Sequence, residues 1–174
     1  MKISRLIVAA ATIVFVLPAH PARPAVTDPV ISLYFFPGVR DNGGGAGTGV
    51  ATSIHCVNFS GATEKLQYVV FNFDSSIKAN LNLNIGQDQT RTASTHDTVL
   101  YAEDLILNTG VVNQGSAIVG ATSVDIVCTA QVLDAAAATP NSAALSSQEP
   151  RVFAKRARIA KRESVPLLLV VQED

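Results

Sequence analysis

Ile77-Lys78-Ala79-Asn80-Leu81-Asn82-Leu83-Asn84-Ile85 alternates apolar with polar side chains at every step. In an extended chain successive side chains point to opposite faces, so the five apolar residues share one face and the lysine and asparagines the other. Helical spacing would scatter both sets around the axis, and the pattern therefore predicts a half-exposed strand. Upstream, residues 66–73 are nearly continuously apolar, as in a strand covered on both sides. A polar turn at 60–65 separates them from 50–59, where Val50, Thr52, Ile54 and Cys56 share a face opposite His55, Val57 and Phe59. Residues 30–36 read as another strand, followed by a glycine-rich loop at 38–49. Downstream, the polar, Thr- and Ser-rich 86–97 reads as loop, and 98–107 as a strand interrupted by Glu103 and Asp104. The segments 116–121 and 124–133 read as a hairpin or bent pair, the second placing Val124, Ile126, Cys128, Ala130 and Val132 on one face. About seven short strands without α/β alternation predict an all-β antiparallel sandwich over 26–134, with an open barrel as the alternative.

The whole chain is 174 residues with 48% hydrophobic and 16% charged side chains, enough for one core and hardly two. That composition excludes a wholly disordered chain. Lys2 and Arg5 precede an apolar run at 6–17, broken only by Thr12, that Pro18 ends, the layout of an export signal. A spanning helix needs about 20 apolar residues, so the run is too short to anchor the chain. Residues 1–25 are expected to be a signal peptide cut somewhere in 19–25, leaving a product in the periplasm or outside the cell with no stable membrane span. Outside the reducing cytosol a buried cysteine pair persists as a disulfide, and Cys56 and Cys128 are the only two cysteines. Two isolated cysteines supply neither a zinc ligand set nor a C-x-x-C redox pair.

Residues 135–149 turn to Ala, Ser, Thr and Pro and read as a linker. The charge then inverts. Residues 26–149 hold four Lys or Arg against eleven Asp or Glu, a net −7, whereas 150–174 hold six against three, a net +3. Arg151, Lys155, Arg156, Arg158, Lys161 and Arg162 form a basic cluster in a tail that ends with an apolar segment at 165–171. This tail is expected to contact a partner or the acidic body of its own domain. Few aromatics are present to stack bases, and nucleic acid is not the expected partner. Lys155-Arg156 and Lys161-Arg162 also read as dibasic protease sites in an exposed tail.

Little in the chain spells out chemistry. The glycines at 43–49 lack G-x-x-x-x-G-K-[ST] and lead into a strand rather than a helix, so a phosphate cradle is not expected. His55 neighbours Cys56 on a strand and points to the opposite face, reading as a surface or edge histidine. Ser94, His96 and Asp97 contain the letters of a hydrolase triad without G-x-S-x-G. Asp88, His96, Asp97, Glu103 and Asp104 would together suit a divalent cation, although no EF-hand loop is present. Asn58-Phe59-Ser60 meets the N-glycosylation acceptor rule.

At Cys56-Val57-Asn58-Phe59-Ser60-Gly61, Gly115-Ser116-Ala117, Ala121-Thr122-Ser123 and Cys128-Thr129-Ala130 the chain resembles a loose group of small exported bacterial β-sandwich proteins of unknown function. The likeness runs over roughly residues 50–134. It implies a disulfide-bearing sandwich and no activity. The expected function is that of a non-enzymatic binding or structural module of the cell envelope or secreted milieu, without cofactor or metal. The alternative is a small hydrolase or metal-binding protein using the His96/Asp97 loop.

Overall fold

The computed structural model describes residues 24–139 and 141–147. Among them nine strands and no helix occur: β1 (Ile31–Asp41), β2 (Val50–Asn58), β3 (Glu64–Phe71), β4 (Ile77–Ile85), β5 (Thr90–Ser94), β6 (Leu105–Ile106), β7 (Val112–Ala121), β8 (Ile126–Asp134) and β9 (Ser142–Leu145). They form two sheets, sheet A in the order β1-β7-β3-β4 and sheet B in the order β6-β5-β2-β8-β9. All pairings are antiparallel except the short β5–β6 pair. The all-β class read from the alternation at 77–85 holds.

The two sheets enclose one core. Phe36, Leu66, Tyr68, Val70 and Val119 from sheet A meet Ile54, Cys56, Ile126 and Cys128 from sheet B, all buried. Each fully buried Leu, Ile or Phe contributes about 1.5–3 kcal/mol. Tyr34 adds a polar tie between the layers, its hydroxyl donating to the Ile126 carbonyl at 2.7 Å. Cys56 and Cys128 are directly opposed on β2 and β8 and form the disulfide, with Cα atoms 4.1 Å apart. That separation suits a non-hydrogen-bonded antiparallel pair, where facing side chains lie closest. The bridge thus runs along one sheet and not from sheet to sheet.

Several segments depart from the pattern read in the sequence. Residues 86–97 contain β5, because threonine and serine suit a strand whose outer face is polar. Ser94 reinforces the pairing through its hydroxyl contact with Ser53 at 2.7 Å. Only Leu105 and Ile106 of the expected strand at 98–107 pair, while Glu103 folds back to accept from the Thr98 N–H and hydroxyl at 3.0 and 2.6 Å. Strands β7 and β8 are consecutive but lie in different sheets, so 122–125 form an arch rather than a hairpin. The Ala- and Ser-rich 135–149, read as linker, supply β9 at the edge of sheet B, held by backbone pairing and by Leu145, which packs partly buried against the core. Ala135 is fully buried, with its N–H on the Gly49 carbonyl at 2.7 Å.

Strand β3 is central, yet its burial alternates strictly instead of being complete on both faces. Strand β4 is an edge, and only Ala79 and Ile85 of its apolar set are buried. An irregularity between Val70 and Phe71 brings Ile77 opposite Phe71 and turns it outward, 59% exposed. A β-bulge has this re-aiming effect.

Candidate functional site

His96 enters a buried polar knot instead of a solvent-facing cluster. Register irregularities around Val39 turn the end of β1 so that Asp41 faces inward, 1% exposed. Its Oδ2 lies 2.8 Å from His96 Nδ1 and accepts from the Thr109 hydroxyl at 3.1 Å, while Oδ1 accepts from the Gly43 N–H at 2.7 Å. His96 Nε2 faces the Thr48 carbonyl at 3.0 Å. Both ring nitrogens are thus occupied by groups of the protein itself, the Asp41 carboxylate and the Thr48 carbonyl. Thr109 contacts Asp41 and not the ring, leaving His96 without a hydroxyl nucleophile. The knot instead fastens the glycine-rich loop to the loops at 95–110, helped by the Gly47 N–H on the Asp97 carbonyl at 3.0 Å.

The other residues of the triad and cation readings scatter. Asp97 and Asp88 are exposed, Asp88 at a left-handed turn position with φ 57°. Glu103 is held by Thr98. Asp104 pairs with Arg91 and accepts from the Thr92 N–H at 2.8 Å. Burial alone would raise the Asp104 carboxyl, but those two partners hold it below the usual carboxylate range. Ser94 is spent on Ser53. Among the described residues no group of three or more His, Cys, Asp or Glu is placed to hold a metal ion.

His55 is not an edge residue: β2 is the middle strand of sheet B. On its outer face Tyr101 packs edge-on against the imidazole with ring centroids 4.5 Å apart. His55 Nδ1 lies 3.0 Å from the Thr92 hydroxyl, and Nε2 is 3.3 Å from the Gln131 amide nitrogen, which also donates to the Tyr101 oxygen. Burial lowers the His55 pKa, opposed in part by the charge of Glu103. A neutral ring accepting at Nε2 fits both facts. Asn58 is likewise consumed by the fold: it is fully buried, its amide donating to the carbonyls of Ala62 and Ile85 at 2.7 and 3.0 Å. An asparagine so enclosed cannot carry a glycan in the folded protein.

The surface with free chemistry is the outer face of sheet A. Partners in register share a face, and register aligns Pro37, Ser116, Phe71 and Ile77 in one row across β1, β7, β3 and β4. The next row holds Phe35, Ile118 and Val69 and ends on β4 at Asn80. Ile77 is 59% exposed, and Phe73, just beyond the end of β3, is 69% exposed. At one end the rows border a cleft of about 590 Å³ lined by Pro37, Gly38, Phe71, Asn72, Phe73, Ser75, Gln114, Gly115 and Ser116. Gly115 is required in its floor, since a Cβ there would stand 2.5 Å from the Phe71 carbonyl oxygen. The sequence signal for this face is the nearly continuous apolar run at 66–73, whose members Val69 and Phe71 lie only partly buried on the outer face of sheet A.

Arg151, Lys155, Arg156, Arg158, Lys161 and Arg162 lie outside the described residues, as do the apolar run at 6–17 and the segment 165–171. No helix among the described residues is long and apolar enough to cross a membrane. No protein-family model matches the chain, and no curated protein matches it. The chain is similar to the solved structure titled "Crystal Structure of Thermotoga maritima 1070", with a TM-score of 0.44 and 15% sequence identity over 68% of this chain and 95% of that one.

Proposed function

We propose that this protein is an exported, non-enzymatic binding module, residing in the periplasm or outside the cell, that engages an envelope or extracellular component through the outer face of sheet A. The observation that carries the reading is the pair of register-aligned, largely apolar rows beside the cleft. Contiguous exposed apolar surface rimmed by polar groups marks interaction sites in proteins that otherwise bury such residues. The cleft supplies the rim, with the amides of Asn72 and Gln114 and the hydroxyls of Ser75 and Ser116 around Phe71 and Phe73. Aromatic platforms with a few polar groups are the usual lining of ligand sites. The export signal read at 1–25 and the Cys56–Cys128 disulfide support the location. Nothing in the geometry favours the hydrolase or metal alternative, since His96 is enclosed by Asp41 and the Thr48 carbonyl.

The test is co-sedimentation of the purified protein with an envelope fraction of the exporting host, comparing wild type with the Phe73→Ser/Ile77→Ser double variant. Both side chains are exposed, so the variant should unfold at an unchanged temperature. Sedimentation is expected to fall several-fold in the variant. Equal sedimentation of the two proteins, or hydrolytic turnover abolished by His96→Ala, would overturn the proposal.

A further inference from the structure

Each sheet has two edges, and among the described residues three of the four are guarded. Strand β1 carries Pro37 and several register irregularities, β6 is two residues long and β9 four. Proline, bulges and shortness keep the free N–H and C=O groups of an edge from pairing with another chain. Strand β4 has none of these along 78–84. Among the described residues it pairs with β3 alone, its register is regular from Ala79 to Ile85, and its single charge is Lys78 near one end. Alternate residues of an antiparallel strand turn both backbone groups away from their partner, so this stretch presents a row of donors and acceptors along the sheet edge.

The side chains define what fits beside it. Register places Leu81 opposite Tyr68 and Leu83 opposite Leu66 on the face toward the core, yet Leu81 is 38% exposed where Tyr68 is fully buried. Sheet A therefore overhangs at β4, and its inner face is open there. A matching strand must bring apolar side chains to that face and polar ones to the other, where Asn80, Asn82 and Asn84 stand. Strand β4 itself meets that description. Laid antiparallel on a second copy about a two-fold axis at Leu81, it pairs Leu81 with Leu81, Ala79 with Leu83, Asn80 with Asn82 and Lys78 with Asn84. Apolar meets apolar, amide meets amide, and the two lysines stand at opposite ends of the ladder, so no like charges face each other. A slip of one residue sets leucine against asparagine throughout, and a slip of two shortens the ladder.

We propose that β4 is a dimerisation edge, at which two copies of this chain join β4 to β4 antiparallel about Leu81. The two four-stranded sheets A then form one continuous sheet of eight strands. Such an interface is isologous and closes at two copies, which leaves no β4 edge free for further growth. It brings Leu81 and Leu83 against their counterparts and joins the two outer faces into one surface. The dimer does not rest on the binding role proposed above.

The purified protein, with its Cys56–Cys128 bridge intact, is expected to double in mass by light scattering as concentration rises. Leu81→Lys would set two ammonium groups against each other on the axis and should weaken association about tenfold or more. Its urea midpoint in dilute solution separates lost pairing from lost fold. Should that midpoint fall, cross-linking decides instead, because facing residues of an antiparallel pair lie within disulfide reach. Under mild oxidation Leu81→Cys is expected to cross-link with itself, and Asn80→Cys with Asn82→Cys when the two are mixed, whereas Asn80→Cys alone should not. The mass of one chain at every concentration, a dimer that a well-folded Leu81→Lys leaves intact, or cross-linking of Leu81→Cys no faster than that of the exposed Gln87→Cys would overturn the proposal. Protection of the outward β4 amides from hydrogen exchange in a monomer would assign the edge to another segment of the chain, with the same result.

Discussion

Replacing Asp41 by Ala asks whether the His96 knot is structural. Three donors lose an acceptor, and they are not equally hurt. The Gly43 N–H lies in an exposed loop and regains water, and the Thr109 hydroxyl keeps the Gly110 carbonyl at 3.0 Å. His96 Nδ1 loses its only partner, and its side chain is just 11% exposed. Leaving a buried hydrogen-bonding group without its partner costs about 1–3 kcal/mol, because the survivor keeps its desolvation penalty. Asp41→Asn keeps an acceptor oxygen without the charge and should cost about half as much. Equilibrium urea unfolding of the oxidised protein at neutral pH measures both. In a His96→Leu background the Asp41→Ala cost should shrink, giving a coupling of about 1–3 kcal/mol in the double-mutant cycle. Hydrogen exchange adds a local readout, since the Gly47 amide on the Asp97 carbonyl should lose protection in Asp41→Ala. A cost below about 1 kcal/mol, within the range of ordinary surface substitutions, would refute the reasoning.

Reducing the Cys56–Cys128 bond should lower stability by about 4 kcal/mol for a crosslink of this span, read from oxidised and reduced unfolding curves. Thiol titration of the denatured, unreduced protein should find no free cysteine, and finding two would contradict the bridge. For His55, burial lowers the folded pKa beneath the unfolded value of about 6.5, so the unfolded chain binds more protons in that window. Stability is therefore complete above about pH 6.5 and declines as pH falls toward the folded pKa. His55→Gln should flatten that decline, and an unchanged pH profile would show that the ring titrates alike in both states.

How far residues alone lead is visible element by element. Period-two alternation made β4 and the inward faces of β2 and β8 legible, and with them the meeting of Cys56 and Cys128. Sheet membership was not legible at 122–125, because arch and hairpin use the same turn residues. Strand β5 was hidden by its polarity, which marks a half-exposed strand as readily as a loop. The knot was invisible for a different reason: Asp41 and His96 are 55 positions apart, and irregularities in β1, not its residue pattern, turn the carboxylate inward. The exposed rows were obscured by the opposite error, since an apolar run does not disclose whether anything lies across from it.

Because the sulfur bridge joins neighbouring strands and not opposing layers, it also divides the chain mechanically. A tensile load entering at β1 and leaving at β9 passes from Cys56 to Cys128 through a covalent bond. Strands β3 to β7, all threaded between those two residues, are then bypassed by the force. Extension under tension is confined to the short arms on either side, and sheet A surrenders only β1.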